Sequence, residues 1–353
     1  MQKFLLLLFC FPVCFLLSSE KEPYIILSID GGGIKGIIPA TVLTLLEEEL
    51  GCGCAEVFDC ISGTSTGGIL AVGLTRPSNI NPSLPEYKAE DLLNIYLSKH
   101  DEIFYRPFLY KLTSIWGWIA PKYSNEGLKR LLIEELESGN INNSLCDIVI
   151  PSYDLTTHAG FHFEYFKNDN ILDKNFNVID VVLATTAAPT YFPSVPVVDL
   201  VNPHLTHNLI DGGIIANNPA EFVLMECLKH ISLDDRDIHI LSIGTGVQIE
   251  ESIAYHESKD WGVLEYLNPL IDNLFDASSS LVVGNLRALM NMNLLNFFRV
   301  NITVPEEASV LDNVEDENIE LLHQLGKQCY IENFVQTEQG QSFLKLLKNR
   351  VSK

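Results

Sequence analysis

Val57-Phe58-Asp59-Cys60-Ile61-Ser62-Gly63-Thr64-Ser65-Thr66-Gly67-Gly68 sets one serine between two glycines, where an apolar run gives way to small residues. This is the sequence form of a nucleophile elbow, in which a strand turns sharply into a helix and exposes a hydroxyl at the turn. The apolar run predicts a strand over 57–61, and the small and aliphatic residues at 68–74 predict the helix. Gly63 and Gly67 suit such a turn because a Cβ two residues either side of Ser65 would collide with neighbouring backbone.

Upstream, Tyr24-Ile25-Ile26-Leu27-Ser28-Ile29 is a continuous apolar run, as expected of a strand covered on both faces. It runs into Asp30-Gly31-Gly32-Gly33-Ile34-Lys35-Gly36, and a helix is expected from about Ile37. A glycine loop between a strand and a helix start offers free backbone N–H groups to an anion. Gly31, Gly33 and Gly36 satisfy the dinucleotide fingerprint, but the same amides could hold the oxyanion of an acyl transfer. The next strand ends in Ser65 rather than in a ribose-binding acid, which favours the oxyanion.

Downstream, the pattern predicts strands over 147–155, 160–166, 195–201 and 205–211, with a helix over 178–188. His162 alternates with Phe161 and Phe163 and reads as a surface residue. The 205–211 strand delivers Asp211-Gly212-Gly213, then Asn217-Asn218-Pro219 opens a helix, and a strand over 237–243 ends in Gly244-Thr245-Gly246. In an open α/β sheet the ligand sits at the carboxyl ends of the strands, so these corners are expected to converge. Serine needs a base, and of nine histidines none stands in a motif that marks it as one, whereas Asp211 does.

Residues 1–19 resemble a secretory signal peptide: Lys3, an apolar run from Phe4 to Leu17, then Ser18 and Ser19. Export is therefore expected, with a retained N-terminal anchor as the alternative, and 20–353 reads as one α/β domain. With 23 basic against 46 acidic residues, the net charge of −23 argues against a nucleic-acid partner and against electrostatic docking on anionic membranes. Of the cysteines beyond the leader, no pair or Cys/His group has zinc spacing, so buried free thiols are expected. The stretch 103–123 is dense in aromatics without a period, including Trp116 and Trp118, and reads as core or as an apolar lip around an entrance.

Three motifs in order, the Asp30–Gly36 loop, the Gly63–Gly67 elbow and the Asp211-Gly212-Gly213 triplet, resemble those of the patatin-like phospholipases. Ala187 to Pro193, Leu241 to Gly246 and Asp316 to Ile319 extend the resemblance over nearly the whole chain after the leader. The resemblance implies a three-layer α/β/α fold with a mostly parallel central sheet, and a serine lipid acyl hydrolase of phospholipase A or lysophospholipase type. It further implies Ser65 as nucleophile, Asp211 as proton acceptor without a histidine, and the oxyanion held by the loop bearing Gly31, Gly32, Gly33 and Gly36. Membrane phospholipids or other acyl lipids would be the substrates, and neither cofactor nor metal is called for. Lys35 departs from the arginine usual in the family, keeping the charge but not a bidentate fork. A Ser-His-Asp esterase and a storage protein of the same fold remain the alternatives.

Overall fold

A computed structural model describes residues 21–105, 120–136, 139–169, 173–248 and 254–352, apart from the side chains of 263–272. Eight strands form the main sheet: β1 (Glu22–Ile29), β2 (Cys60–Gly63), β3 (Asp147–Asp154), β4 (Ala159–Tyr165), β5 (Val195–Val198), β6 (Thr206–Asp211), β7 (Arg236–Ile243) and β9 (Asn296–Val300). Their order is β5-β6-β3-β2-β1-β7-β9, with β4 also on β3, while β8 (Val247–Gln248) and β10 (Thr303–Val304) pair separately. The centre, from β3 through β9, is parallel; β4, β5 and β6 run antiparallel to their neighbours.

β1 shows why the sheet is covered on both faces. Successive side chains alternate sides, so Ile25, Leu27 and Ile29 join one apolar cluster while Tyr24 and Ile26 join the other. The first cluster is closed by the helices Ile37–Leu50, Thr66–Thr75, Ala89–Ile103, Val178–Thr185, Asp316–Tyr330 and Glu338–Val351. The second is closed by Ala220–Cys227 and the end of Val263–Asn291. The result is the expected three-layer α/β/α arrangement with a mostly parallel sheet.

β3 organises the site. One of its flanks pairs with β4 throughout; the other pairs first with β2, through Ser62 opposite Val149, and then with β6, through Asp211 opposite Ser152. β2 and β6 therefore lie end to end along a single edge and point at each other. Pro151 occupies the gap between them, where a backbone N–H would have no strand to pair with.

The strand expected from Val57 begins instead at Cys60. Glu56 accepts the Gly53 amide at 2.8 Å, which winds Cys54–Val57 into a helical turn and leaves only the last residues before the elbow extended. Cys54, Cys60, Cys146, Cys227 and Cys329 are buried free thiols and Cys52 is half-buried. The leader segment and Trp116 and Trp118 lie outside the described residues. Both ends of the aromatic stretch are packed inward: Ile103 and Tyr123 are buried, and Phe104 meets Tyr123 edge-on and Phe192 at a tilt, at centroid distances of 5.5 and 6.2 Å. Among the described residues no helix is long and apolar enough to cross a membrane.

Candidate active site

Ser65 sits between β2 and the Thr66–Thr75 helix with φ 53° and ψ −119°, a backbone conformation that a non-glycine residue adopts only under constraint. Close packing enforces it. A Cβ on Gly63 would run into the Gly67 carbonyl, and one on Gly67 into the Ile29 carbonyl, so the elbow closes only with glycine at both positions. Thr185 fastens the turn from the next layer: its Oγ1 accepts the Ser65 amide at 3.1 Å and donates to the Pro151 carbonyl at 2.8 Å. The elbow is thus tied to β3 at the gap.

Asp211, the last residue of β6, is buried, and its Oδ1 accepts the Gly213 amide at 2.7 Å. Burial pushes its carboxyl up to about 7, against a smaller opposing pull from the Gly213 amide and the Ser65 hydroxyl. Ser65 and Asp211 line one cavity together with Gly32, Gly33 and Asn217. The rest of its wall is largely apolar, with Ile69, Ile103, Leu128, Tyr191 and Phe192. None of the lining residues is a histidine. The shortest histidine–carboxylate contact among the described residues, His207 Nδ1 to Asp154 at 3.0 Å, lies outside it.

The four loop glycines differ in what their backbone is doing. Gly31 donates its amide to the Asn217 carbonyl at 3.0 Å, and Gly36 packs against Thr66 in a short 3-10 turn. The amides of Gly32 and Gly33 have no acceptor among the described residues, and both residues face the cavity. Gly33 has φ 59°, and a Cβ there would meet the Leu311 carbonyl, which itself accepts the Ile34 amide at 2.9 Å. Thr245 Oγ1 donates to the Gly31 carbonyl at 2.8 Å. Gly212 passes close to the Pro151 carbonyl and Gly213 to the Phe275 ring, so the triplet is packed tightly behind the acid.

Asp30 points away from the cavity. It forms a bidentate pair with Arg299, at 2.8 Å for Nη1 and 2.5 Å for Nη2, and Arg299 also donates to Ser242 at 2.7 Å. Asp30 is buried and Arg299 half-buried; burial pushes the Asp30 carboxyl up while Arg299 pulls it down. The pair anchors the start of the glycine loop to β7 and β9. Replacing Arg299 with methionine leaves a buried carboxylate unpaired, and urea denaturation is expected to show a loss of about 3–5 kcal/mol. Lys35 lies on the other side of the loop, in a polar cleft of about 890 Å³ with Asp276, Arg287 and Arg299. Gly32, Asn217, Phe275 and Leu311 belong to both that cleft and the serine cavity, so the two spaces adjoin across the loop.

Thr245 lies in one of the glycine corners expected at the site, whereas nothing in the sequence around Thr185, Arg299 and Leu311 marks them for it. Those three reach the site through hydrogen bonds made from distant parts of the chain, and none belongs to a compact motif.

Fold and site together define a class: a three-layer α/β protein with a serine on a strained elbow facing a buried carboxylate. The chain belongs to the patatin-like phospholipase family, whose model matches residues 27–224. It is 33% identical over 332 residues to patatin-like protein 2 of Arabidopsis thaliana, covering 85% of this chain and 81% of that one. It is 30% identical over 351 residues to patatin-like protein 2 of Oryza sativa subsp. japonica, covering 90% and 86%. A third relative, 30% identical over 338 residues and covering 88% and 87%, is named "Probable inactive patatin-3-Kuras 1" of Solanum tuberosum. The family is one of lipid acyl hydrolases, although that third relative carries "inactive" in its name.

Proposed function

We propose that the protein hydrolyses acyl esters of lipids, in the manner of a phospholipase A or lysophospholipase, through Ser65 and Asp211 alone. The observation that carries this reading is the shared cavity: a strained serine, a buried carboxyl raised to about 7 and two uncommitted amides, with no histidine in the wall. Ser65 Oγ bonds to the ester carbonyl carbon as its proton passes to the Asp211 carboxylate, and the carbonyl oxygen takes the negative charge between the Gly32 and Gly33 amides. Collapse of that intermediate breaks the ester bond, and the alcohol leaves with the proton from Asp211. Water then gives a proton to Asp211 and attacks the acyl-serine, and the proton returns to Ser65 as the fatty acid departs.

A carboxylate suits this task when its pKa is brought near neutrality, because it is then both present as base and strong enough to accept the proton. The apolar wall accommodates the acyl chain, and the adjoining polar cleft gives the headgroup room beside Lys35. We assign 1–19 as an export signal, which sequencing of the mature N-terminus tests.

A fluorophosphonate probe followed by mass mapping of the adduct tests the reaction class without assuming a substrate. Label on Ser65 and on no other serine is the expected result. No label at all would favour a protein of this fold without hydrolytic activity. Gly33→Ala is expected to lower kcat on a short-chain ester by about 10²-fold, since the added methyl displaces one of the two amides. An unchanged kcat would take Gly33 out of the oxyanion site.

A further inference from the structure

On β4, the strand period puts His162 and Glu164 on the same face, toward the Ala220–Cys227 helix. His162 is half-buried rather than on the open surface. Its Nε2 lies 3.2 Å from Glu164 Oε2 and 3.4 Å from Glu226 Oε2. Glu226 is itself buried, and the three donor atoms all lie within 4.8 Å of one another. Phe222, one helical turn before Glu226, meets the imidazole edge-on at 5.5 Å and restricts its rotation.

An ordinary histidine–carboxylate hydrogen bond accounts for one of these contacts. A neutral imidazole has a single hydrogen on Nε2, yet two carboxylate oxygens converge on that nitrogen. Zinc bonds of about 2.0–2.1 Å in a tetrahedron require donor atoms roughly 3.3–3.4 Å apart, and the distances from His162 Nε2 to the two carboxylate oxygens, 3.2 and 3.4 Å, match that spacing. Lys229 pairs with the same Glu226 oxygen and supplies a positive charge from the solvent side; its side chain is 59% exposed and free to swing into water. Asn142 Oδ1 is a buried acceptor without a partner among the described residues, and it lines the same small cavity as His162 and Glu164.

We propose that His162, Glu164 and Glu226 form a zinc site with one water ligand, which ties the outer strand β4 to the Ala220–Cys227 helix. The site lies apart from the serine cavity and takes no part in ester hydrolysis. Its effect is structural: that helix follows directly on Asn217 and Asn218, so zinc fastens to the sheet the segment that continues from Asp211. Neither carboxylate shares a sequence motif with a cysteine or a second histidine, which is why zinc spacing is not legible in the sequence.

The test is calorimetric titration of zinc into chelator-treated full-length protein, with melting temperature as a second readout. One zinc per chain with a micromolar or tighter Kd is expected, together with a rise in Tm and tetrahedral visible absorption when cobalt replaces zinc. His162→Ala and Glu164→Gln should each weaken binding by about tenfold or more. Lys229→Gln should strengthen it about two- to fivefold, because a competing cation of surface-pair strength is removed. Absence of saturable zinc binding overturns the proposal, and so does unchanged affinity in either ligand variant or weaker binding in Lys229→Gln. If His162→Ala does not fold, Glu164→Gln decides alone.

Discussion

Ser65→Ala is expected to reduce kcat on a soluble short-chain ester by about 10⁴-fold or more, leaving circular dichroism and Tm close to those of the unaltered protein. The magnitude follows from removing the atom that forms the covalent bond, since groups that act as one unit lose nearly the whole enhancement when one is deleted. The fold should tolerate the change because Ser65 is held by its backbone: its amide bonds to Thr185, and that bond survives in alanine. Alanine keeps the same positive φ with a Cβ already accommodated. Steady-state kinetics with a chromogenic ester decide the matter, and residual turnover within tenfold of the unaltered protein would refute the role of Ser65.

Asp211→Asn is expected to be as damaging as the serine change, while replacing any single histidine by alanine leaves substantial turnover. The pH profile follows from the same residue. With its carboxyl raised to about 7, Asp211 is protonated at mildly acidic pH, so kcat/KM should rise with pH through a midpoint near 7. Stability has the opposite sign. Between the carboxyl's ordinary value of 3.8 and about 7, the folded protein keeps a proton that the unfolded chain has released, so stability falls as pH rises through that window. A shift of about three units corresponds to about 4 kcal/mol, and asparagine, which has no charge to bury, removes that dependence. Urea unfolding at pH 5 and pH 8 should therefore show a smaller difference in the asparagine variant, which becomes the more stable protein at pH 8. A histidine variant that abolishes turnover, or an asparagine variant that retains it, would transfer the role of base away from Asp211.

The parts of the site legible in the sequence are those whose chemistry is confined to a few consecutive residues. Gly63, Ser65 and Gly67 announce an elbow because the close approaches there are local, and Asp211 stands out because a strand leads into it and two glycines follow. Asn217, in the run that opened the next helix, also proved to line the cavity. What could not be read is whatever depends on a partner far along the chain. Asp30 looks like part of the glycine motif, but its function as an anchor needs Arg299, 269 residues away. Thr185 ends an ordinary helix, and nothing around it signals that its hydroxyl will reach the Ser65 amide. The start of β2 differs for a local reason: Val57 is apolar and β-branched and suits a strand, yet Glu56 bonding to Gly53, three residues back, settles a helical turn there before the chain extends.

The end-to-end arrangement of β2 and β6 along β3 has a consequence for where the chain tolerates change in length. Val149 and Ser152 fix how far apart the two strands stop, about 10 Å along one covalent backbone. Insertions in the loops between residues 66 and 205 leave that interval untouched, so the stretches around the cavity are free to lengthen, shorten and diversify with the lipid they meet. One residue added to β3 between Val149 and Ser152 would instead turn its side chains to the opposite face and carry β6 a step of about 3.3 Å from the elbow. The 145 residues between Ser65 and Asp211 can vary widely, provided those few do not.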